Sequence, residues 1–327
     1  MRLLITGGAG FIGHHVVEWM LEHTDWEVVI LDRLDISGNL NRLTDLPCWE
    51  KEQGRVRFIW HDLKAAISPT IAHSIGPVDF ILHMAASSHV DRSIADPMSF
   101  VMDNVVGTCS LLDYAREVEC AKAIYFSTDE VFGPAPEGTA YKEWDRYHSG
   151  NPYAASKAGA EELTLAFENT YGLPVLVTHT MNVFGERQHP EKFLPLVISR
   201  ALSGELVTIH ANKDCTQVGS RFYIHARSVA EALDFLWSRG EPGDKYNIVG
   251  EVEVDNLQLA QMIAEIVGKP LNYELVDFHS SRPGHDLRYA LDGSKLAEMG
   301  WQPEANFEQS LQRTVEWYLD NPAWLGS

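Results

Sequence analysis

The sequence predicts a doubly wound α/β fold, with a parallel sheet followed by a smaller mixed α/β domain. Three observations predict it. An apolar strand at residues 2–6 runs directly into glycines at positions 7, 10 and 13. Apolar runs of strand length then alternate with segments of helical periodicity as far as residue 180. The second such run ends in Asp32, 19 residues past Gly13.

The glycine triplet has the spacing of a dinucleotide-binding loop. Its first glycine permits a tight turn, the second lets backbone approach a pyrophosphate, and the third lets the next helix pack closely. A helix from His14 to His23 follows, and its N-terminus would face the phosphates. Asp32 would bind the adenosine ribose and indicates NAD, whereas Arg33 could tolerate the phosphate of NADP. These features predict a Rossmann domain that binds NAD.

The remaining elements follow in order along the chain. Further strands are predicted at residues 27–31, 55–59, 78–83, 121–126 and 173–180, and helices at 96–119 and 151–171. Ligands bind at the carboxyl ends of parallel strands. The predicted cofactor contacts are Gly7, Gly10, Phe11, Ile12, Gly13, Asp32, Arg33, Asp35, Asp62, Leu63, Met84, Ala85, Ala86, Ser87, Tyr153 and Lys157. Residues 1–180 are expected to form the NAD-binding domain, to which later segments return, and residues 181–327 mainly the substrate-binding domain.

Two polar patterns favour a catalytic cluster. Tyr153 and Lys157 lie four residues apart and would share one helix face. A nearby positive charge lowers the pKa of a phenol, and the phenolate can take a hydroxyl proton while a hydride leaves the same carbon. Thr128, Asp129 and Glu130 follow the strand at 121–126. Alone, the first pattern is more typical of a packed aromatic residue and the second of a helix cap. Together with the glycine loop, the two patterns favour a catalytic role for these residues.

At these residues the chain resembles an extended short-chain dehydrogenase/reductase, specifically a nucleotide-sugar 4,6-dehydratase of the dTDP-glucose type. The resemblance covers nearly the whole chain. The motifs, in the family's order, are TGGAGFIG at 6–13, AASSHVDRSI at 85–94, STDEVFG at 127–133, YAASKAGAE at 153–161, PEKFLP at 190–195 and RPGHDLRYALD at 282–292. The Thr-Asp-Glu triplet is the discriminating motif, since other branches usually keep the tyrosine and lysine without the Asp-Glu pair.

The resemblance implies a reaction with no net oxidation. Tyr153, helped by Lys157, removes the proton of the sugar's C4 hydroxyl as hydride passes to NAD. The resulting ketone acidifies C5, and Glu130 is the matching base while Asp129 protonates the departing C6 hydroxyl. Thr128 would hydrogen-bond the C4 oxygen. Hydride returns to C6, and the product is a 4-keto-6-deoxy sugar nucleotide.

The resemblance also implies a set of substrate contacts. They are Ser88, Thr128, Asn182, Glu191, Lys192, Arg221, Asn247, Arg282 and His285. An arginine suits a diphosphate because its guanidinium matches phosphate geometry. The chain departs from the family at Val183, where asparagine is usual, at Asp103, where threonine is usual, and in the longer segment 210–220. The base (dTDP, UDP or another) and the hexose, glucose or an N-acetylated sugar, therefore stay open.

Composition limits the partners and the compartment. The chain has 46 acidic and 26 basic residues, a formal net charge of −20, and no basic run that would bind nucleic acid or an anionic membrane. No apolar run has the length of a membrane span, and no signal peptide is predicted. The cysteines at 48, 109, 120 and 215 are scattered, which is typical of a reducing cytoplasm. The 14 histidines show no metal-ligand spacing, so no metal is predicted.

The helices at 96–119 and 151–171 carry apolar residues on more than one face. In the family such helices pair with their copies in a homodimer, which is the expectation; the alternative is that the same chain covers them. Two related reactions stay open, UDP-glucuronate decarboxylation and nucleotide-sugar 4-epimerisation, but neither needs Asp129 beside Glu130. A non-catalytic NAD-sensing protein would typically lose Tyr153 or Lys157.

Overall fold

The computed structural model describes residues 1–277 and 287–326. Its strands are β1 Arg2–Thr6, β2 Glu27–Asp32, β3 Val56–Trp60, β4 Phe80–His83, β5 Lys122–Thr128, β6 Val175–Thr180, β7 Val183–Phe184, β8 Val207–Ala211, β9 Ser220–Phe222, β10 Ile224–His225, β11 Lys245–Ile248, β12 Glu253–Asp255 and β13 Tyr273–Asp277. Its α-helices are α1 Phe11–His23, α2 Asn41–Thr44, α3 Trp49–Glu52, α4 Pro69–Ile75, α5 Val90–Ala95, α6 Pro97–Phe100, α7 Gly107–Val118, α8 Pro152–Tyr171, α9 Phe193–Ser203, α10 Ala226–Arg239, α11 Asn256–Val267, α12 Ser294–Glu298 and α13 Phe307–Asp320. A π-helix spans Val101–Val106, and 3₁₀ helices span Gln53–Arg55, Asp129–Phe132 and Pro322–Leu325.

Seven parallel strands form the central sheet, in the order β11-β6-β5-β4-β1-β2-β3. The chain winds outward in one direction from β1 to β3 and in the other from β4 to β6. The crevice between β1 and β4 is therefore the switch point at which such sheets bind ligands. This topology confirms the predicted doubly wound α/β fold. The edge strand β11 comes from the C-terminal part of the chain and pairs with β6.

Helices cover both faces of this sheet, which explains why its strands read as continuous apolar runs. Leu3, Leu4 and Ile5 of β1 are fully buried. One face packs on α1 and α10, and the other on α4, α7 and α8. Burying each aliphatic side chain of this size contributes about 1.5–3 kcal/mol, so the two layers stabilise the strands whose ends carry the site.

The helix predicted at 96–119 is interrupted. It divides into α6, the π-helix Val101–Val106 and α7, and it is preceded by α5, which was not predicted. The side chain of Asn104 in the π-helix is buried, and it accepts a hydrogen bond from the backbone N–H of Ser87 at 2.8 Å and donates to the Ser87 carbonyl at 3.0 Å. The wider π turn keeps these long-range contacts in register, a common arrangement at functional sites.

The C-terminal part adds a smaller mixed layer. The β8–β13 and β7–β10 pairs are parallel and the β9–β12 pair is antiparallel. Their core is formed with α9, α11 and α13 and contains Val197, Ile198, Ile263 and Leu311, all essentially inaccessible to solvent. Across residues 1–277 and 287–326, no helix combines the length and the apolar character needed to cross a membrane.

Candidate active site

The loop after β1 forms a cradle that no side chain could enter. Gly7 has φ +74°, and a Cβ there would lie 2.8 Å from the backbone nitrogen of Ala85. A Cβ on Gly13 would lie 2.2 Å from the carbonyl oxygen of Gly7. Helix α1 begins just after Gly10, which has no side chain to cap the first N–H groups. Exposed backbone N–H groups at a helix N-terminus fit a pyrophosphate, so the cradle fits a dinucleotide.

A cavity of about 100 Å³ continues from this cradle past the ends of β2 and β3. Asp32 lies at its wall, where its carboxylate accepts the backbone N–H of Ala9 at 3.1 Å and of Leu34 at 2.8 Å. These two bonds fix the carboxylate where an adenosine ribose would sit. Predicted cofactor contacts that line this cavity are Gly7, Gly10, Asp32, Arg33, Asp35, Asp62, Leu63, Met84, Ala85, Ala86 and Ser87.

A second cavity of about 300 Å³ lies at the carboxyl ends of β1, β4, β5 and β6. Predicted residues that line it are Gly7, Gly10, Phe11, Ile12, Gly13, Met84, Ala86, Ser88, Thr128, Asp129, Glu130, Tyr153, Lys157, Asn182 and Lys192. The structure thus brings the five predicted catalytic residues, the glycine loop and three further predicted substrate contacts, Ser88, Asn182 and Lys192, to one space.

Local structure explains how the catalytic residues meet. The chain leaves β5 at Thr128 and turns through the 3₁₀ helix that carries Asp129 and Glu130. The hydroxyl of Thr128 donates to Asp129 Oδ1 at 3.0 Å. Asn151 caps α8 by accepting the N–H of Ala154 at 2.9 Å, and its amide donates to Glu130 Oε2, also at 2.9 Å. One capping residue therefore connects Glu130 to the helix that carries the tyrosine and lysine.

Burial gives Asp129 the character of an acid at neutral pH. Desolvation, and next the negative charge of Glu130, raise the pKa of Asp129 to about 7. Arg221 and the Thr128 hydrogen bond oppose this rise. A carboxyl group with such a pKa is partly protonated at neutral pH, so it can donate a proton beside an acceptor carboxylate.

The relation between Tyr153 and Lys157 differs from the sequence-based expectation. Burial and the charge of Glu130 raise the pKa of Tyr153 above its usual value, although a hydrogen bond with Thr128 lowers it. Burial lowers the pKa of Lys157 to about 7, and its ammonium group donates to the carbonyl of Phe126 at 2.7 Å. Lys157 therefore does not depress the pKa of the phenol in this structure, because desolvation dominates both groups.

Two predicted substrate contacts, Glu191 and Arg221, do not line this cavity. Glu191 is exposed and pairs with Arg92 at 3.5 Å. Arg221 does not line the cavity; it donates to the carbonyls of Ser220 and Leu287, at 2.7 and 2.6 Å, although its charge reaches Asp129. Arg282 and His285 lie outside the described residues.

Asn247, a further predicted substrate contact, lies outside the cavity that contains the catalytic residues. It is fully buried in β11, where its amide donates to the carbonyls of Tyr141 and Asp292, both at 3.0 Å. Its side-chain oxygen contacts Nδ1 of His179 at 3.0 Å. Its side-chain donors are used within the protein, and it lines a different cavity from the catalytic residues, so its contact with substrate stays a prediction.

The cavity also contains residues that sequence reasoning missed. These are Ser37, Arg42, His89, Phe126, Ser127, Thr180, Met181, Val183, Gln188 and His189. Thr180 ends a predicted strand, so its position at a carboxyl end was a usable signal. Gln188 and His189 carried none, because their loop is held by a distant residue: the backbone N–H of Gln188 donates to the hydroxyl of Tyr318 at 2.8 Å.

One group of side chains has a spacing that a metal ion could bridge. It contains His89, His189 and Glu191, and one ligand atom from each lies within 4.8 Å of the others. Arg92 and Lys192 surround this group, and after desolvation their charges lower the pKa of His89, which lies at about 4. Arg92 also pairs with Glu191. A cation would meet two positive side chains here, so we propose no metal role for the group.

Comparisons with known proteins agree with this geometry. Residues 4–314 match the family model described as GDP-mannose 4,6 dehydratase. The dTDP-glucose 4,6-dehydratase of Salmonella typhimurium is 38% identical over 351 residues, with 100% of this chain and 95% of the relative covered. The crystal structure of dTDP-glucose 4,6-dehydratase from Streptomyces venezuelae, which has NAD bound, superimposes with a TM-score of 0.90 at 35% identity, covering 100% and 99% of the two chains.

An epimerase is also similar. The UDP-glucose 4-epimerase of Thermus thermophilus, in complex with NAD, gives a TM-score of 0.87 at 30% identity, with 97% of this chain and 98% of the other covered. The dehydratases and the epimerase therefore both confirm the predicted superfamily. The dehydratases match this chain at higher sequence identity than the epimerase does. The chain belongs to the GDP-mannose 4,6 dehydratase family, the NAD-dependent nucleotide-sugar 4,6-dehydratases of the extended short-chain dehydrogenase/reductases.

Proposed function

We propose that the protein removes water from a nucleotide-diphosphate hexose and forms a 4-keto-6-deoxy sugar nucleotide. The observation that carries this proposal is Asp129, whose pKa is raised to about 7 beside Glu130, in the cavity that also contains Tyr153. A 4-epimerase needs the tyrosine and no such pair. Elimination of water needs both an acid and a base, because one proton leaves C5 while another joins the departing hydroxyl.

Oxidation at C4 is assigned to Tyr153. NAD, held by the glycine loop and Asp32, would supply the acceptor for the hydride of C4 and the donor of hydride to C6. Tyr153 takes the proton of the C4 hydroxyl, and Thr128, which is hydrogen-bonded to the phenol, aligns the phenol and the C4 oxygen. Lys157 fixes the end of β5 through the carbonyl of Phe126.

Elimination is assigned to the two carboxyl groups. The amide of Asn151 donates to Glu130, and an amide donor favours the ionised carboxylate, which is the form that takes the C5 proton. Asp129 accepts from Thr128 on one oxygen, and the other, Oδ2, is buried and has no hydrogen-bond partner among residues 1–277 and 287–326. That second oxygen is the one placed to carry the proton for the C6 hydroxyl.

The rate of water loss should fall as pH rises through about 7, because Asp129 is protonated below its pKa and loses its donor proton above it. Asp129→Asn should lower the rate by about 100-fold and remove this alkaline decline. The measurement is the pH dependence of kcat for keto-sugar formation in both proteins. An unchanged alkaline decline in Asp129→Asn would contradict the role of Asp129.

The substrate proposed first is dTDP-glucose, because the dehydratases from Salmonella typhimurium and Streptomyces venezuelae are named for it and match along the whole chain. UDP-glucose is the alternative. A panel of nucleotide hexoses, assayed for the alkali-induced absorbance of a 4-keto product and for loss of water by mass spectrometry, tests this. A 4-epimer without loss of water, the reaction of the Thermus thermophilus relative, would contradict the proposal.

A homodimer through residues 96–119 and 151–171 is also proposed. Met98, Val101 and Met102 form an apolar strip on α6 and the π-helix and are exposed by 67%, 42% and 38%, which is unusual for side chains of this kind unless a partner covers them. Light scattering should give twice the mass of 36.7 kDa, and Val101→Asp should shift it to the monomer. A monomeric wild-type protein would overturn the proposal.

We also propose a cytoplasmic protein in which residues 1–180 and β11 form the NAD-binding domain and most of residues 181–327 bind the nucleotide sugar. The four cysteines are free thiols, which fits a reducing compartment. Neither nucleic acid nor membrane is a proposed partner.

A further inference from the structure

Asp103 and Arg33 form a two-pronged ion pair at the adenosine end of the cofactor cavity. The two carboxylate oxygens of Asp103 accept hydrogen bonds from Nη1 and Nη2 of Arg33, at 2.6 and 2.7 Å. The hydroxyl of Ser87 donates to the same carboxylate at 2.6 Å. All three residues line the cavity that also contains Asp32. Parallel contacts between a guanidinium and a carboxylate are among the strongest side-chain pairings, so this geometry is well defined.

The pair is largely shielded from solvent. The side chain of Asp103 is 10% exposed and that of Arg33 is 24% exposed. Asp35 accepts two further hydrogen bonds from Arg33, at 2.7 and 3.0 Å, and Asp62 lies 3.5 Å away. Lys64 is the other base here, 3.6 Å from Asp103 and 3.3 Å from Asp62. Arg33 is therefore held by three carboxylates, in a small region that is net acidic once Asp32 is included.

The π-helix explains how Asp103 reaches a residue 70 positions away in sequence. Asn104, the next residue, binds both the N–H and the carbonyl of Ser87, and its amide also donates to the hydroxyl of Ser156 at 2.8 Å. The turn that carries Asp103 is thus fixed to the cofactor loop and to α8. The hydrogen bonds of Asn104 therefore hold the neighbouring Asp103 in position.

We propose that Asp103 makes the protein selective for NAD over NADP by occupying the guanidinium of Arg33. The ribose hydroxyl that Asp32 is placed to bind is the one that carries the extra phosphate in NADP. Arg33 follows Asp32 directly, and a guanidinium is the side chain best suited to bind that phosphate. With Asp103 present, the donors of Arg33 are engaged and a phosphate meets an excess of carboxylates. Without Asp103, the guanidinium has donors for a phosphate. The inference rests on the cofactor assignment of the proposed function.

The test is the identity of the dinucleotide that the purified protein carries. Three proteins are compared: wild type, Asp103→Asn and the control Asp113→Asn. Each is denatured, and the NAD and NADP that it releases are quantified by mass spectrometry. Asp113 lies on α7 in an exposed pair with Arg116, so its substitution matches the charge change away from the cavity. Asp103→Asn should raise the ratio of NADP to NAD by about tenfold, the gain expected from one charged contact to phosphate. Asp113→Asn should leave it unchanged.

A double variant identifies the cause. Arg33→Ala combined with Asp103→Asn should lose the gain, because the proposal assigns the phosphate contact to Arg33. Asp103→Thr, a smaller polar substitution, repeats the test if Asp103→Asn melts well below wild type. The proposal is overturned if the ratio stays at the wild-type value, if the gain survives the loss of Arg33, or if both folded variants lose NAD and NADP alike. A wild-type protein with neither dinucleotide would contradict the proposed function as well, whereas the other outcomes leave that function intact.

Discussion

Tyr153→Phe should lower kcat for keto-sugar formation by about 1,000-fold, since it removes the group that takes the C4 proton and general-base catalysis contributes factors of this order. Loss of its hydrogen bond with Thr128 should change the free energy of unfolding by only about 1 kcal/mol. The substitution therefore separates chemistry from folding. The measurement is the steady-state rate with the best substrate of the nucleotide-hexose panel, together with a thermal melt.

The control for this prediction is Tyr171→Phe. Tyr171 ends the same helix, and its side chain is 52% exposed and away from the cavity, so the same chemical change there should leave kcat unaltered. If the Tyr153→Phe protein keeps more than a tenth of the wild-type rate, Tyr153 is not the group that takes the C4 proton.

Glu130→Gln should block elimination while it still permits oxidation at C4. Gln is isosteric but cannot accept the C5 proton, so formation of the 6-deoxy product should fall by about 100-fold or more. Oxidation should persist, because Tyr153 and Thr128 are untouched. Quenching single turnovers with borodeuteride and analysing the sugars by mass spectrometry separates the steps: a C4-labelled hexose without loss of water marks oxidation alone.

Glu162→Gln provides the matched control, since Glu162 is exposed on α8. It should behave as wild type in both steps. Normal turnover of Glu130→Gln would show that another group removes the C5 proton, and failure of both steps would show that Glu130 serves oxidation too.

Features encoded by neighbouring residues were predictable from the sequence. The strand, glycine turn and helix at residues 2–23 depend on local steric demands, and Gly7 and Gly13 occupy positions that exclude any Cβ. Asp32 was predictable in the same way, because it ends a strand at a fixed distance from the loop. Period and spacing therefore predicted the sheet and much of the cavity wall.

Features that depend on distant contacts were not predictable. The break in the helix 96–119 follows from Asn104 binding Ser87, and the position of Gln188 follows from Tyr318. Desolvation is a property of the folded whole, so the raised pKa of Tyr153 could not be derived from a lysine four residues away. The sequence alone suggested that Arg33 could tolerate the phosphate of NADP. The ion pair between Arg33 and Asp103 joins residues 70 positions apart, so it could not be predicted.

The fate of a single hydrogen atom distinguishes dehydration from the related reactions. A nucleotide hexose that carries deuterium at C4 is converted by the protein in ordinary water, and the product is examined by NMR and mass spectrometry. If oxidation, elimination and reduction occur in one cavity, the deuterium appears at C6 of a 4-keto product that has lost one water. Deuterium found again at C4 of an epimer, or released from the sugar altogether, would contradict the dehydration mechanism.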